Sequence, residues 1–97
     1  MTVTVTQPAR RDVRGIVGYI AKDNPRAAER FANDLAGKFA TLDEAPLIGR
    51  EHADFGTGIR FFPFGSYLII YRSEKAGVVI IRVLHGARNL PDAFQAK

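Results

Sequence analysis

The sequence contains no cysteine and no tryptophan, and it has only one methionine and two histidines. Without cysteine the chain forms no disulfide and offers no thiolate to a metal. Two histidines without a dense carboxylate cluster are a poor ligand set, so no metal site is expected. A Gly-rich phosphate loop, a dinucleotide fingerprint and a Ser/His/Asp order are missing as well, and we therefore expect no cofactor.

Long apolar runs are also missing. No stretch is long enough to span a membrane, and the N-terminal "MTVTVTQPARRD" lacks an apolar core of signal-peptide length. With the absence of cysteine, this predicts a cytoplasmic protein without a membrane partner. Acidic residues are outnumbered, 10 against 14 Lys and Arg, which gives a net charge of +4. A pI near 9.9 indicates nucleic acid or an acidic protein as the partner.

A chain of 97 residues is short enough to predict one domain over residues 1–97. Its first half begins with a strand. "TVTVT" alternates strictly and predicts a short strand over Thr2–Thr6, ended by Pro8. From Ala9 the apolar period becomes helical, with a stripe formed by Val13, Ile16, Val17 and Ile20. Gly15 and Gly18 weaken this helix, which predicts the close approach of another backbone.

A second helix follows almost at once. Asn24 is a good N-cap, Pro25 suits the first helical position, and the helix is predicted to run to about Leu42. A linker of about three residues predicts an antiparallel helical hairpin. The apolar stripe of this helix consists of Ala28, Phe31, Leu35, Phe39 and Leu42.

The second half is predicted to be a meander of three strands joined by short loops, which favours antiparallel pairing. The turns fall at residues 63–65 and in "SEKAG". The fold class is therefore α+β: a short N-terminal strand and an antiparallel helical hairpin packed on a small, mainly antiparallel β-sheet, in the order β-α-α-β-β-β. The three strands lie near residues 58–62, 66–72 and 78–85.

The last strand carries a charge among apolar residues. Simple alternation places Val79, Ile81, Val83 and His85 on one face and Val78, Ile80, Arg82 and Leu84 on the other. Two helices cover only one face of a four-stranded sheet, so we expect the second face to be uncovered. It would present apolar side chains together with Arg60, Arg72 and Arg82, and such a face is a candidate binding surface.

The segments "NPRAAERF", "GIR…YLIIYR" and "IIRVLHGARN" follow this order of elements. From Val5 to Asn89 the sequence resembles the ParE branch of the RelE/ParE superfamily of toxins from bacterial toxin–antitoxin pairs, and "RVLHGAR" is the most specific part. The resemblance implies a plasmid-stabilisation type of system. It implies a hetero-oligomer with a cognate, acidic, ParD-like antitoxin, whose C-terminal segment wraps the toxin. It also implies binding and inhibition of DNA gyrase, rather than the ribosome-dependent messenger RNA cleavage of RelE relatives.

The candidate target-binding residues are Arg60, Arg82, His85 and Arg88. Arg82 would meet a carboxylate or phosphate from the open sheet face; as a structural residue it would instead pair with Asp54 or Glu51 at the rim. If they do not bind a target, Arg60 is an edge-strand charge that discourages aggregation, and Arg88 is a solvated charge in a loop.

A ribonuclease would use the same region as a catalytic site. His85 would then be the general acid or base, and Arg82 and Arg60 would stabilise charge on the phosphorane. No partner base is evident, although Glu51 and His52 lie in the preceding loop. The bland alternative is a capping or core-edge histidine. In the gyrase interpretation no residue is catalytic, and the lack of a tyrosine after His85 favours that interpretation.

The antitoxin is predicted to contact a surface comprising Arg10, Arg14, Val17, Tyr67 and Tyr71. Arg10, Arg11 and Arg14 lie off the apolar stripe of the first helix. They form either a solvated helix face or a landing site for an acidic antitoxin. A third interpretation of the chain is a degenerate toxin that binds an antitoxin but has lost its toxicity.

Overall fold

The structure, a computed structural model, describes residues 2–86 and has the α+β class predicted from the sequence. One strand and a helical hairpin precede four further strands, and a single 3₁₀ turn, Ala53–Phe55, lies between the second and third strands. The elements are β1 (Thr2–Val5), α1 (Gln7–Asp23), α2 (Pro25–Glu44), β2 (Arg50–Glu51), β3 (Ile59–Phe64), β4 (Tyr67–Glu74) and β5 (Gly77–His85).

The strands form one five-stranded sheet in the order β1-β5-β4-β3-β2. Among the described strands, β1 pairs with β5 in parallel and the other pairings are antiparallel. The prediction of four strands was wrong by one, because β2 has two residues and is too short to produce a periodic signal. It pairs with β3 through Arg50 and Phe61 and through Glu51 and Arg60.

Two prolines lie inside regular elements: Pro8 follows the end of β1, as predicted, and Pro63 was predicted in a turn. α1 begins at Gln7, so Pro8 lies in the first helical turn, where a missing N–H costs nothing. The Oγ1 atom of Thr6 caps this helix by accepting from the N–H of Ala9 at 3.4 Å. Pro63 lies within β3 and not in a turn. β2 pairs only with Arg60 and Phe61, so the outer edge of β3 is open at Pro63 and no ladder bond is lost there.

The helical hairpin packs on one face of the sheet, as predicted. The N-cap at Asn24 is confirmed, since its side chain accepts from the N–H of Ala27 at 3.0 Å. The apolar stripe of α2 is also confirmed, with Leu35 and Leu42 fully buried. The buried residues of this helix-side core are Ala9, Leu35, Leu42, Ile69, Tyr71, Val78, Ile80 and Val83.

A β-bulge in β5 breaks the simple alternation that the sequence predicted. Ile70 pairs with Arg82 but Tyr71 pairs with Ile80, so Ile81 is the extra residue. Val78, Ile80 and Val83 therefore all belong to the helix-side core, whereas Ile81 and Leu84 belong to a second cluster.

The expectation of an uncovered second face was wrong. Its four central side chains, Ile59, Phe61, Ile70 and Leu84, are all buried. Phe55, from the 3₁₀ turn, packs against this cluster, as do Leu68 and Ile81. The ring of His52 stacks on Phe61 with 4.3 Å between centroids. The loop between β2 and β3 thus covers part of the sheet face that the helices do not cover.

The two glycines of α1 do not serve a close approach inside the described part of the chain. A Cβ built on Gly15 or Gly18 meets nothing within 4 Å, so that expectation was wrong. The close approach occurs at Gly77 (φ +145°), where a Cβ would overlap the backbone of Thr2 in β1. Within residues 2–86 neither helix is long and apolar enough to cross a membrane.

Candidate functional site

The guanidinium of Arg82 is held by α1. Its Nε donates to Oδ2 of Asp12 at 2.7 Å and its Nη2 donates to Oδ1 at 2.9 Å, a bidentate pair. Each side chain is only 14% exposed. The hydrogen bonds to Asp12 raise the pKa of Arg82 above its ordinary value, and burial opposes them. Arg82 therefore stays charged at every physiological pH.

The position of Asp12 explains why this pair exists. β1 ends at Val5, which pairs with Ile80, so the next part of β5 has no strand on its β1 side, although β4 pairs with it on the other side. Oδ2 of Asp12 accepts from the backbone N–H of Val83 at 3.0 Å, in the place of a strand carbonyl. Arg82 is thus a structural arginine, but its partner is Asp12 and not the rim residue Asp54 or Glu51. Simple alternation could not reveal a partner 70 residues away.

Arg60 and Tyr71 together hold the loop between α2 and β2. The Tyr71 hydroxyl donates to the carbonyl of Pro46 at 2.7 Å and accepts from the N–H of Gly49 at 2.9 Å. Nη1 of Arg60 donates to the carbonyl of Gly49 at 2.8 Å, and more weakly to that of Leu47 at 3.4 Å. Arg60 therefore has a structural role, different from the exposed edge charge considered above.

Tyr71 is fully buried, which corrects its predicted place on the antitoxin surface. Burial raises the pKa of its hydroxyl above the ordinary value of 10.0, while the hydrogen bond from Gly49 and the charge of Arg60 act in the opposite direction. From the sequence alone, a large aromatic residue in a strand can belong either to a contact surface or to the core. Its tertiary contacts distinguish the two.

His85 lies at the far end of the sheet from Arg60. It pairs with Tyr67 across β4 and β5, whereas Arg60 pairs with Tyr71 across β3 and β4. Four residues of β4 separate these positions, a distance of about 13 Å. The ring of His85 packs edge-on against Tyr67, with 5.3 Å between centroids. The structure therefore does not bring His85, Arg82 and Arg60 together as one catalytic group.

The suggested partner bases also lie away from His85. Glu51 pairs with Arg60 in the sheet and accepts from the N–H of Gly58 at 3.3 Å, and His52 stacks on Phe61. Across residues 2–86, no group of three or more His, Asp or Glu side chains is arranged to hold a metal ion. Arg88 lies outside the described residues.

An apolar groove flanked by arginines runs along the helices. Its volume is about 440 Å³. It unites three of the predicted antitoxin residues, Arg10, Arg14 and Val17, whereas Tyr67 lines a different cleft near His85. The residues that sequence reasoning missed are Val5, Val13 and Phe39. Val13 and Val17 lie four residues apart on α1, and this spacing could have indicated that Val13 shares the surface of Val17.

Comparison with known families and proteins gives consistent matches over most of the chain. The family described as "ParE toxin of type II toxin-antitoxin system, parDE" matches residues 3–90. Toxin ParE3 of Caulobacter vibrioides is 29% identical over 86 residues, which cover 88% of this chain and 86% of that protein. Toxin RelE1 of the same organism is 34% identical over 87 residues, covering 88% of this chain and 92% of that protein.

Solved structures share the fold. The chromosomal ParDE toxin–antitoxin system from P. aeruginosa matches with a TM-score of 0.74 and 17% identity, covering 88% of this chain and 95% of that chain. The toxin–antitoxin complex RelBE2 from Mycobacterium tuberculosis matches with a TM-score of 0.61 and 31% identity, covering 87% and 95%. The first match, at 17% identity, shows a shared fold, and the second is similar in both fold and sequence.

Proposed function

Because the chain belongs to the ParE toxin family of type II toxin–antitoxin systems, within the RelE/ParE superfamily, we propose that it acts by binding and inhibiting DNA gyrase. A cognate acidic antitoxin neutralises it in this proposal. The site of action is the cytoplasm, where gyrase and its DNA are found. The family membership is the premise; the target, the partner and the location are the proposal.

One observation carries the choice of a binding mechanism over catalysis. The guanidinium groups of Arg82 and Arg60 are engaged by Asp12 and by the loop carbonyls, and His85 lies at the other end of β4 from Arg60. A general acid or base acts only when it and the charge-stabilising groups reach the same reacting atoms. The separation favours an inhibitor that works through contact.

The antitoxin is proposed to occupy the groove on the helices. The lining combines apolar side chains, Val13, Val17 and Phe39, with Arg10 and Arg14. An amphipathic acidic segment complements both features, because its apolar side fills the groove and its carboxylates meet the guanidinium groups. The RelBE2 structure, 31% identical, is a toxin–antitoxin complex, which supports a partner of this kind.

A ribosome-dependent ribonuclease is the second candidate. Toxin RelE1 is 34% identical, and His85 is an exposed side chain beside Tyr67 in a cleft that Arg11 also lines. A catalytic His85 would have to find its other partners on the ribosome, since Arg60 and Glu51 lie far from it.

One experiment separates the two functions. Purified gyrase with supercoiled plasmid is scored for cleaved complex, beside translating ribosomes scored for messenger cleavage, using the wild type, His85→Ala and the exposed-surface control Glu29→Ala. We expect cleaved DNA complexes from the wild type and from Glu29→Ala. If His85→Ala loses a target contact, higher concentration restores its effect.

Loss of a catalytic histidine behaves differently, because turnover falls by about 10²–10⁴-fold at every concentration. Messenger cleavage that disappears in His85→Ala, with gyrase unaffected by the wild type, would establish the ribonuclease. A chain that binds its antitoxin but affects neither assay would be a degenerate toxin.

A further inference from the structure

A second cleft lies between α1 and the end of β5, separate from the antitoxin groove. Its volume is about 380 Å³, within the range of small-ligand sites. It differs in chemistry from the apolar groove, because its walls add two tyrosines and a histidine to aliphatic side chains. The lining residues used below are Arg11, Asp12, Gly15, Tyr19, Tyr67 and His85.

The two tyrosines of the cleft are presented in different ways. Tyr19 is 73% exposed, the most exposed of the large hydrophobic side chains of the described residues. Tyr67 is fixed by edge-on packing against Phe31, at 5.5 Å between centroids, and against His85, at 5.3 Å. The cleft is thus lined by one fixed ring and one open ring, and an open ring offers a face for stacking. Every nucleobase has a π-face that such a ring accepts.

Of the described residues that line the cleft, one is an exposed cationic side chain, Arg11. Arg11 is exposed and lies eight residues before Tyr19 on α1, about 12 Å along the helix axis. The carboxylate of Asp12 also lines the cleft, but its charge is compensated by the bidentate pair with Arg82. The Asp12–Arg82 pair therefore leaves Arg11 as the uncompensated charge at this wall, where it can meet a phosphate.

We propose that this cleft binds single-stranded nucleic acid, with a base stacked on Tyr19 and a backbone phosphate at Arg11. The proposal deepens the proposed function and rests on it for the source of the strand, which is the DNA opened in the cleaved gyrase complex. The binding chemistry, an unpaired base followed by a phosphodiester, is shared by DNA and RNA. The toxin thus contacts the nucleic acid of its target as well as the protein.

Gly15 provides a specific way to close the cleft. It lines the cleft, and a Cβ built on it meets nothing within 4 Å, so a larger side chain would enter the open space without an internal clash. Leucine is also a better helix former than glycine, so Gly15→Leu should fold. Gly37 in α2 is equally exposed and equally free of neighbours but lies outside this cleft. Gly37→Leu is therefore the matched control.

The test measures fluorescence anisotropy of labelled 12-nucleotide dT and rU strands and of a 12-base-pair duplex, with the purified full chain. We expect saturable binding of the single strands and weaker binding of the duplex. Gly15→Leu should weaken binding more than tenfold, and Gly37→Leu should not. Tyr19→Ala should weaken it about 5- to 100-fold, from the loss of one stacked base, whereas Tyr19→Phe keeps the ring and the affinity.

Salt dependence tests the phosphate contact. Arg11→Gln should lower the slope of log K against log salt by about 0.7, the value for one phosphate of a single strand. Arg26→Gln removes the same charge from an exposed position at the start of α2 and should leave the slope nearly unchanged. Circular dichroism melts of all variants verify that they are folded.

Three results would overturn the proposal: no saturable binding of either strand, equal losses in Gly15→Leu and Gly37→Leu, or preference for the duplex. A preference for rU over dT of tenfold or more would keep the cleft but assign it to RNA. The assay contains no gyrase, so its outcome is independent of the proposed function. Strand binding together with inactivity on gyrase would retain the cleft and reject that target.

Discussion

At the scale of single residues, the charged and polar groups inside this fold mainly complete its backbone. Asp12 takes the place of a neighbouring strand at Val83, and Arg82 neutralises the carboxylate that does so. Tyr71 and Arg60 satisfy the carbonyl and N–H groups of a loop that crosses the sheet end. A guanidinium in a buried strand is thus explained by an unpaired stretch of strand edge.

Removing the carboxylate should destabilise the fold strongly. Asp12→Ala removes the carboxylate that forms the bidentate pair with a largely buried guanidinium, for an expected loss of about 3–5 kcal/mol in the free energy of unfolding. The control is Glu74→Ala, which breaks the pair with Arg72, in which both side chains are more than 40% exposed. Such exposed pairs contribute about 0–1 kcal/mol. Urea denaturation measures both; similar small losses would contradict the structural role of Asp12.

The Tyr71 hydroxyl should make stability depend on alkaline pH. Its pKa is raised in the folded state, so the folded chain holds this proton more tightly than the unfolded chain does. The associated stability is present below pH 10, the ordinary pKa, and is lost as pH rises above it towards the folded pKa. Tyr71→Phe should lose about 1–3 kcal/mol at pH 7, because Pro46 and Gly49 lose their partner.

The difference in unfolding free energy between wild type and Tyr71→Phe should therefore shrink above pH 10. The other ionisable groups are common to both proteins and cancel in this comparison. Urea titrations at pH 7, 9, 10 and 11 supply the measurement. A difference that stays constant or grows with pH would mean that the hydroxyl titrates without cost in the folded state.

At the scale of elements, the helical hairpin covers one face of the sheet and β5 connects the two cores. The bulge at Ile81 lets one strand send Val78, Ile80 and Val83 to the helices and Ile81 and Leu84 to the opposite side. Five strands thus carry two apolar faces, and a single residue inserted in the register determines how β5 divides between them.

The stripe of α2 should dominate the stability of the hairpin. Leu35 is 2% exposed in the helix-side core, and Leu35→Ala removes buried methyl groups and leaves a cavity, for an expected loss of about 2–5 kcal/mol. Glu29→Ala, on the exposed side of the same helix, should change stability by less than about 0.5 kcal/mol. Thermal melts test this pair, and equal effects would refute the orientation of α2.

At the scale of the whole molecule, basic charge is distributed over two neighbouring surfaces of α1. Arg10 and Arg14 flank the apolar groove, and Arg11 lines the aromatic cleft. An excess of four positive charges on a chain of this size favours association with acidic partners and speeds their encounter. In the two proposals, the same helix offers one surface for a peptide and another for a phosphate backbone.

The antitoxin should stabilise the toxin strongly and through the groove. Antitoxin in excess at 100 times its Kd adds about 2.7 kcal/mol to the folded state. For a domain of this size, that raises Tm by about 10–20 °C. Arg10→Glu with Arg14→Glu should reduce the shift by repelling the acidic segment. Arg26→Glu with Arg30→Glu, at exposed positions on α2, makes the same change in net charge.

Differential scanning fluorimetry measures the Tm of the wild type and of both double variants, each with and without antitoxin. Equal losses in the two double variants would mean that net charge alone governs binding. A toxin whose Tm does not respond to its antitoxin would reject the folded-state docking on which the proposal depends.

Local sequence patterns were sufficient to predict those structural features that depend on residues close together along the chain. Asn24 before Pro25 located the start of α2, and the spacing of apolar residues identified the face of α2 that is buried. The alternating and β-branched segments identified β1 and the three long strands to within two residues of their ends. These features depend on backbone capping and on hydrophobic period, both of which are properties of short windows.

Tertiary structure alone decided the roles of the polar residues. Arg82 meets Asp12, Tyr71 meets Pro46 and Gly49, and these pairs are separated by 70, 25 and 22 residues. The bulge at Ile81 likewise arises where β5 passes from its pairing with β1 to the carboxylate of Asp12. Hydrophobic period has a range of a few residues, whereas a buried hydrogen bond needs a partner from anywhere in the chain. The sequence by itself therefore determined the helices, the long strands and the buried stripe of α2. The fold determined the division of β5 between the two cores and which charges remain at the surface for partners.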